Sequence, residues 1–162
     1  MEKEQVLSLL ENKGIPYRLI HHAAAHTIDE MDALGVENGE EIAKNLFLRD
    51  DKKRNYYLIC LQKDKTADLK ALRQTLGCRP LSFASESDLQ QYLALPKGAV
   101  TPFGALNDTE HKVHLRFDST LAGFAAVGVH PNDNTATVFL KLADLMGLLQ
   151  GLGSDVALVD LN

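Results

Sequence analysis

The sequence predicts a mixed α/β (α+β) domain, a curved, partly antiparallel mixed sheet with helices packed against it. Three observations carry that expectation. β-like apolar runs and helix-period leucine stripes are interspersed along the chain, yet they never settle into a regular βαβ alternation. No GxGxxG turn opens a helix after a strand, so a doubly wound nucleotide-binding sheet is not indicated. Several strand candidates are joined by short polar turns, which favours antiparallel neighbours.

The elements follow in order. Residues 2–13 form a helix with Val6, Leu9, Leu10 and Lys13 at helical spacing, stopped by Gly14 and Pro16. Tyr17 to His21 is a short strand. Thr27 is an N-cap for a helix through Leu34, with Glu30 three residues on completing a capping box, and Gly35 ends it. Ala43–Leu48 and Tyr56–Leu61 are strands joined by a hairpin loop, Arg49 to Asn55. Leu69, Leu72 and Leu76 share one face of the next helix, which Gly77 stops. Leu81–Ala84 is a strand candidate. Ser85 and Asp88 cap a helix carrying Leu89, Tyr92 and Leu93. Val113–Phe117, Phe124–Val129 and Ala136–Leu140 are β-like, the last two separated by a Pro-Asn-Asp-Asn turn. Leu142, Leu145, Met146 and Leu149 mark the clearest amphipathic helix, and Val156–Leu161 closes with a strand.

There is no internal repeat, low-complexity tract or linker-like stretch, so residues 1–162 are expected to form one domain with a single sizeable core. A hydrophobic fraction of 45% and a charged fraction of 24% are those of a soluble globular protein. The start, Met1 to Gln5, lacks the basic and apolar regions of a signal peptide, and no apolar run approaches a membrane span. A cytoplasmic, reduced setting with no membrane partner is expected. Cys60, inside an apolar run, is expected to be a small buried hydrophobe; Cys78 has no CxxC partner.

The net charge of −5 is distributed unevenly. Between Lys44 and Arg79 ten basic residues face four acids, so this segment is +6 and the remainder −11. Such asymmetry can give a local phosphate-binding face on an acidic protein, or simply solvated strand ends and helix faces.

Candidates for chemistry are few. His21, His22 and His26 straddle a strand end and a turn, with no carboxylate or thiolate at metal-site spacing, and His111 and His114 point to opposite faces if both lie in a strand. No metal or other cofactor is expected. No GxSxG elbow supports a serine triad, and no protein nucleophile stands out. Lys44-Asn45 opens an apolar strand within the basic segment; a lysine there is either a solvated cation or a binding group. Gly98-Ala99-Val100-Thr101-Pro102-Phe103-Gly104-Ala105-Leu106 combines glycines that permit close backbone approach with a stiffening proline, although an ordinary turn would look similar. His130, in Gly128-Val129-His130-Pro131, sits at a strand end, where functional and merely capping histidines both occur.

Those segments carry a family resemblance across essentially the whole chain. Lys44 followed by Asn45 and Leu46, the G-x-x-x-P motif of Gly98 to Pro102, and the Gly-Val-His-Pro run ending at Pro131 occur in the order and spacing of the YbaK-type aminoacyl-tRNA deacylases. These are related to the editing domain inserted in bacterial prolyl-tRNA synthetases. Within that family the sequence is most similar to the free-standing alanine-specific branch (ProXp-ala, or PrdX). The resemblance implies the same fold and hydrolysis of alanine wrongly esterified to proline tRNA, with the synthetase as a candidate partner. It implies that Lys44 contacts the terminal nucleotide or the ester and that Asn45 positions the substrate. The Gly98–Pro102 loop would shape a small pocket with backbone donors, and His130 would line or support it. Thr101, Phe103, Gly104 and Ala105 would contribute to substrate binding. Water, placed by backbone and substrate groups, would attack. The lysine and the G-x-x-x-P loop are shared with the cysteine-specific branch, so cysteine or serine deacylation remains an alternative, as does a non-catalytic tRNA- or synthetase-binding module.

Overall fold

The computed structural model describes residues 1–161. Two sheets form the scaffold. The larger has five strands in the order β4-β2-β3-β5-β8, with β2 (Ala43–Asp50), β3 (Tyr56–Gln62), β4 (Leu81–Phe83), β5 (Val113–Asp118) and β8 (Asp155–Val159). Its β4-β2-β3 half is antiparallel and its β3-β5-β8 half parallel, so the sheet is mixed, as expected. The smaller sheet, β1-β7-β6, is antiparallel and consists of β1 (Arg18–His21), β7 (Ala136–Leu140) and β6 (Val127–Val129). A single parallel bridge, Ile42 to Gly128, joins the sheets where β2 begins. Gly128 is required there: a Cβ would lie 2.8 Å from the Phe139 ring and 3.0 Å from Ile42.

Alternation along β2 divides the core. Ala43 and Phe47 face the main core with Leu58, Cys60, Leu115 and Phe117, which α1 (Lys3–Asn12) and α5 (Leu142–Gly151) cover with Val6, Leu10, Leu145 and Leu149. Leu46 and Leu48 face the opposite side with Tyr57, Ile59 and Leu61, beneath Leu69, Leu72 and Leu76 of α3 (Leu69–Leu76). Cys60 is fully buried and burial pushes its thiol pKa up, as a structural cysteine requires.

The local signals operate as the sequence indicates. Asp68 caps α3 by accepting from Lys70 and Ala71, and Gly77 ends it at φ +64°. Ser85 and Asp88 form a reciprocal capping box for the short α4 (Glu86–Asp88), which runs directly into a π turn, Leu89–Leu93. Three expectations are corrected. Phe124–Ala126 is not strand, because a 3-10 turn, Ser119–Gly123, delivers the chain to a β6 of only three residues. The stretch read as a loop, Gly98 to Leu106, is one only in its first half: Pro102–Asn107 is a 3-10 turn with Thr101 as N-cap and Pro102 at its start. The last strand ends at Val159 rather than Leu161.

Candidate functional site

A cavity of about 310 Å³ opens where the two sheets meet. Its walls come from α2 (Ile28–Ala33) and the segment before it, the start of β2, Gly98 and Val100, the end of β6, and Thr137 of β7. Local sequence builds each wall. Thr27 caps α2 by accepting from Glu30 N at 3.1 Å, which turns Met31 inward onto Ile42 and Phe139. The predicted capping box is shifted, since the Glu30 carboxylate accepts from the backbone of His26 rather than Thr27. Gly98, at φ +80°, brings its backbone so close to His26 that a Cβ would lie 2.9 Å from the His26 Cβ.

Lys44, Asn45, Gly98 and His130 all line this one cavity, from three separate stretches of chain. Lys44 and Asn45 nevertheless point to opposite faces of β2, as neighbours in a strand must. Asn45 lies on the side of Ala43 and Phe47, and its Oδ1 is buried without a hydrogen-bond partner among the described residues. The Lys44 side chain is on the other face, where its ammonium donates to the Lys65 carbonyl. An inward amide and an outward cation suit different parts of a substrate.

His130 is the best-defined group. Its Nδ1 lies 2.9 Å from the Ala136 carbonyl, which can only accept, so Nδ1 carries the proton and the neutral ring keeps Nε2 as an acceptor. Burial pushes its pKa below the ordinary imidazole value, reinforced by His22 and only partly opposed by the Ala136 carbonyl and Asp133. His22 sits behind it, ring centroids 6.0 Å apart, with Nδ1 donating to the Ala23 carbonyl and Nε2 hydrogen-bonded to Thr137 Oγ1, each at 2.8 Å.

The remaining predicted positions lie elsewhere. Thr101 to Ala105 are buried behind the cavity. Thr101 donates its hydroxyl to the His130 carbonyl at 2.6 Å, so it holds the histidine's backbone instead of facing a substrate. Phe103 fills the main core, and Gly104 packs so tightly on Leu93 and Leu95 that a Cβ would lie 2.7 Å from Leu95. Pro102 and Ala105 belong to the same buried turn. An apolar turn of this composition is drawn into the core, leaving only the Gly98–Val100 end at the cavity. His26, weighed above only as a metal ligand, lines the site, as do Met31, Ile42 and Thr137; the Thr27–Glu30 capping signal was the available clue to the wall that His26 and Met31 form.

Among the described residues no three His, Cys, Asp or Glu side chains group as metal ligands would: His22 engages Thr137, His26 lies near Asn134, and His114 pairs with Asp155 at 2.6 Å. Of the ten cations between Lys44 and Arg79, four are paired with acids, namely Arg49 with Asp88, Lys63 with Asp32, Lys65 with Asp118 and Arg79 with Asp51. Lys52, Lys53, Arg54, Lys70 and Arg73 are exposed and form no ion pair among the described residues.

The two-sheet domain is a known architecture. A solved structure described as a candidate trans-editing enzyme for prolyl tRNA synthetase superposes with a TM-score of 0.72 at 22% identity, covering 99% of this chain and 97% of that one. The family follows from sequence: residues 22–148 match the aminoacyl-tRNA editing domain, and the chain belongs to that family. It is 46% identical over 159 residues to the prolyl-tRNA editing protein ProX of Acetoanaerobium sticklandii, covering 98% of this chain and 97% of the relative. It is also 32% identical over 150 residues to the prolyl-tRNA synthetase associated domain-containing protein 1 of Danio rerio, covering 91% and 81%.

Proposed function

We propose that this editing domain acts in trans as an aminoacyl-tRNA deacylase, releasing alanine wrongly attached to proline tRNA. Membership of the family and the similarity to ProX support tRNA deacylation in the service of prolyl-tRNA synthetase. The observation that carries the chemistry is the neutral His130, which lines the cavity with its tautomer set by Ala136 and its Nε2 left as an acceptor.

The aminoacyl group enters between Met31, Ile42 and Val129, with Asn45 Oδ1 accepting an N–H of its ammonium. The terminal ribose and phosphate remain at the rim, where the Lys44 ammonium exchanges the Lys65 carbonyl for the nucleotide. His130 Nε2 accepts a proton from water as the water oxygen bonds to the ester carbonyl carbon. The oxyanion so formed is met by backbone N–H groups of the Gly98 loop, and the ribose oxygen leaves with a proton returned from His130. An aminoacyl ester is already activated, so positioning and oxyanion stabilisation supply much of the rate without a protein nucleophile.

Selection against proline follows from shape. A synthetic site cannot exclude a smaller amino acid strongly, since a missing methylene costs only ~1–3 kcal/mol, whereas a second, tighter pocket rejects the larger one. The test is hydrolysis of proline tRNA charged with alanine, cysteine, serine or proline, with and without chelator. Rapid, chelator-resistant release of alanine with proline spared is expected. Faster release of cysteine or serine would move the protein to a sister specificity, and no release of any would leave a tRNA-binding module.

A further inference from the structure

Phe83 is 58% exposed, more than any other large apolar side chain among the described residues, and it packs into none of the three hydrophobic clusters. Its neighbours Ser82, Ser85 and Glu86 are polar and exposed, so the ring stands alone and is not part of an apolar patch suited to a protein interface. Its direction is fixed by register. Phe83 of β4 lies opposite Leu48 of β2, and directly opposed residues share a face, so the ring is on the side of Lys44, Leu46 and Leu48. Four residues along β2 and one strand across place it about 14 Å from Lys44.

They are linked along the sheet edge, since the face between them is covered by α3. β4 ends at Phe83, and the bridge to β6 is made at Ile42, so residues 43–46 have no strand neighbour on that side. The face is also basic. α3 lies over the same side through Leu72 and Leu76, and exposes Lys70 and Arg73, while Lys52, Lys53 and Arg54 project from the β2–β3 turn. A lone exposed ring with unpaired cations on neighbouring elements is a pattern that suits single-stranded nucleic acid, with bases stacking on the ring and phosphates meeting the cations.

We propose that Phe83 is a stacking platform for an unpaired base of the RNA strand whose 3′ end enters the cavity. This rests on the deacylase reading and extends it along the strand. With 3.4 Å per stacked nucleotide, 14 Å corresponds to about four nucleotides, so the stacked base lies a few positions before the terminal adenosine. The ring takes any base by its face, and its contribution is to hold the single-stranded end in line with the pocket.

Binding is measured first, by fluorescence of a cytosine analogue placed in the single-stranded tail of an uncharged hairpin RNA ending in CCA, so the result does not depend on turnover. Phe83→Ala should weaken binding roughly 5- to 150-fold, Phe83→Leu should not restore it, and Phe83→Trp should. In deacylation of alanine from the charged RNA, Phe83→Ala should raise KM by a comparable factor while kcat changes less than twofold. Binding within twofold of wild type in Phe83→Ala, full rescue by leucine, or an equal loss with a hairpin lacking the single-stranded tail would overturn the proposal. So would a change of oligomeric state in Phe83→Ala, seen by sedimentation, with RNA binding intact.

Discussion

His130 donates from Nδ1 to the Ala136 carbonyl while burial holds its pKa below 6.5, so it is neutral and accepting at neutral pH. If Nε2 takes the proton of the attacking water, deacylation falls with an inflection below 6.5 as pH drops, and His130→Asn abolishes both the rate and that inflection. Stability responds to the same group with a definite sign. Between the lowered folded value and 6.5 the unfolded chain binds the proton and the folded one does not, so stability rises with pH across that window and is level above it. Thermal melts from pH 5 to 8 should show this slope in the wild type and a shallower one in His130→Asn. An unchanged slope would mean that the ring is not held neutral by burial. Thr101 belongs at this scale too, since its hydroxyl is spent on the His130 carbonyl and so fixes where the imidazole begins.

α2 is six residues long and too short to be stable by itself, so the cavity wall it forms depends on what anchors it. Two contacts do so: Met31, 4% exposed, packs on Ile42 and Phe139, and Asp32 accepts from the Lys63 ammonium at 2.6 Å. Met31→Ala should cost about 2–4 kcal/mol and widen the cavity on the side where the aminoacyl group is proposed to sit. Hydrolysis of proline- or serine-charged tRNA should then rise relative to alanine. Unchanged selectivity in a folded variant would move the size limit to another wall. The loop from Gly98 behaves oppositely. Its first residues meet the cavity, and Pro102–Asn107 locks the remainder into the core.

Across the molecule, the ends of β3, β5 and β8 are gathered by one buried acid. Asp118 accepts from Lys65 Nζ at 2.8 Å and from the backbone of Gln62 and Thr120, each at 3.1 Å, and Lys65 also donates to the Leu161 carbonyl. Burial alone would raise the Asp118 pKa, but the Lys65 ammonium and the two N–H donors outweigh it and hold it below 3.8. Its stabilising contribution is therefore fully present above 3.8 and lost as pH falls through the folded value. Because the Lys65 carbonyl also receives Lys44, this knot connects the sheet ends to the cavity rim. Asp118→Asn should destabilise by about 2–4 kcal/mol, towards the lower end because Lys65 keeps some contact with water, and lower Tm by roughly 5–15 °C. A Tm within 2 °C of wild type would show that the pair contributes little.

Much of this was legible in the sequence because it is encoded locally. Hydrophobic period and capping residues marked α3, α5 and the β2–β3 hairpin to within two residues. The Lys44-Asn45, Gly98–Pro102 and Gly128–Pro131 segments pointed to residues that do meet at one cavity. The 3-10 turns were not legible, since three to six residues carry no period to recognise. The sequence by itself determined the fold class and the family, and it marked segments whose residues meet at one cavity. Only the tertiary structure decided that Asn45 faces inward and Lys44 outward, that Thr101 to Ala105 stand behind the cavity, and that Phe83 shares a face with Lys44. Those outcomes depend on strand register and on competition for the core, and both are set by contacts between residues far apart in the chain.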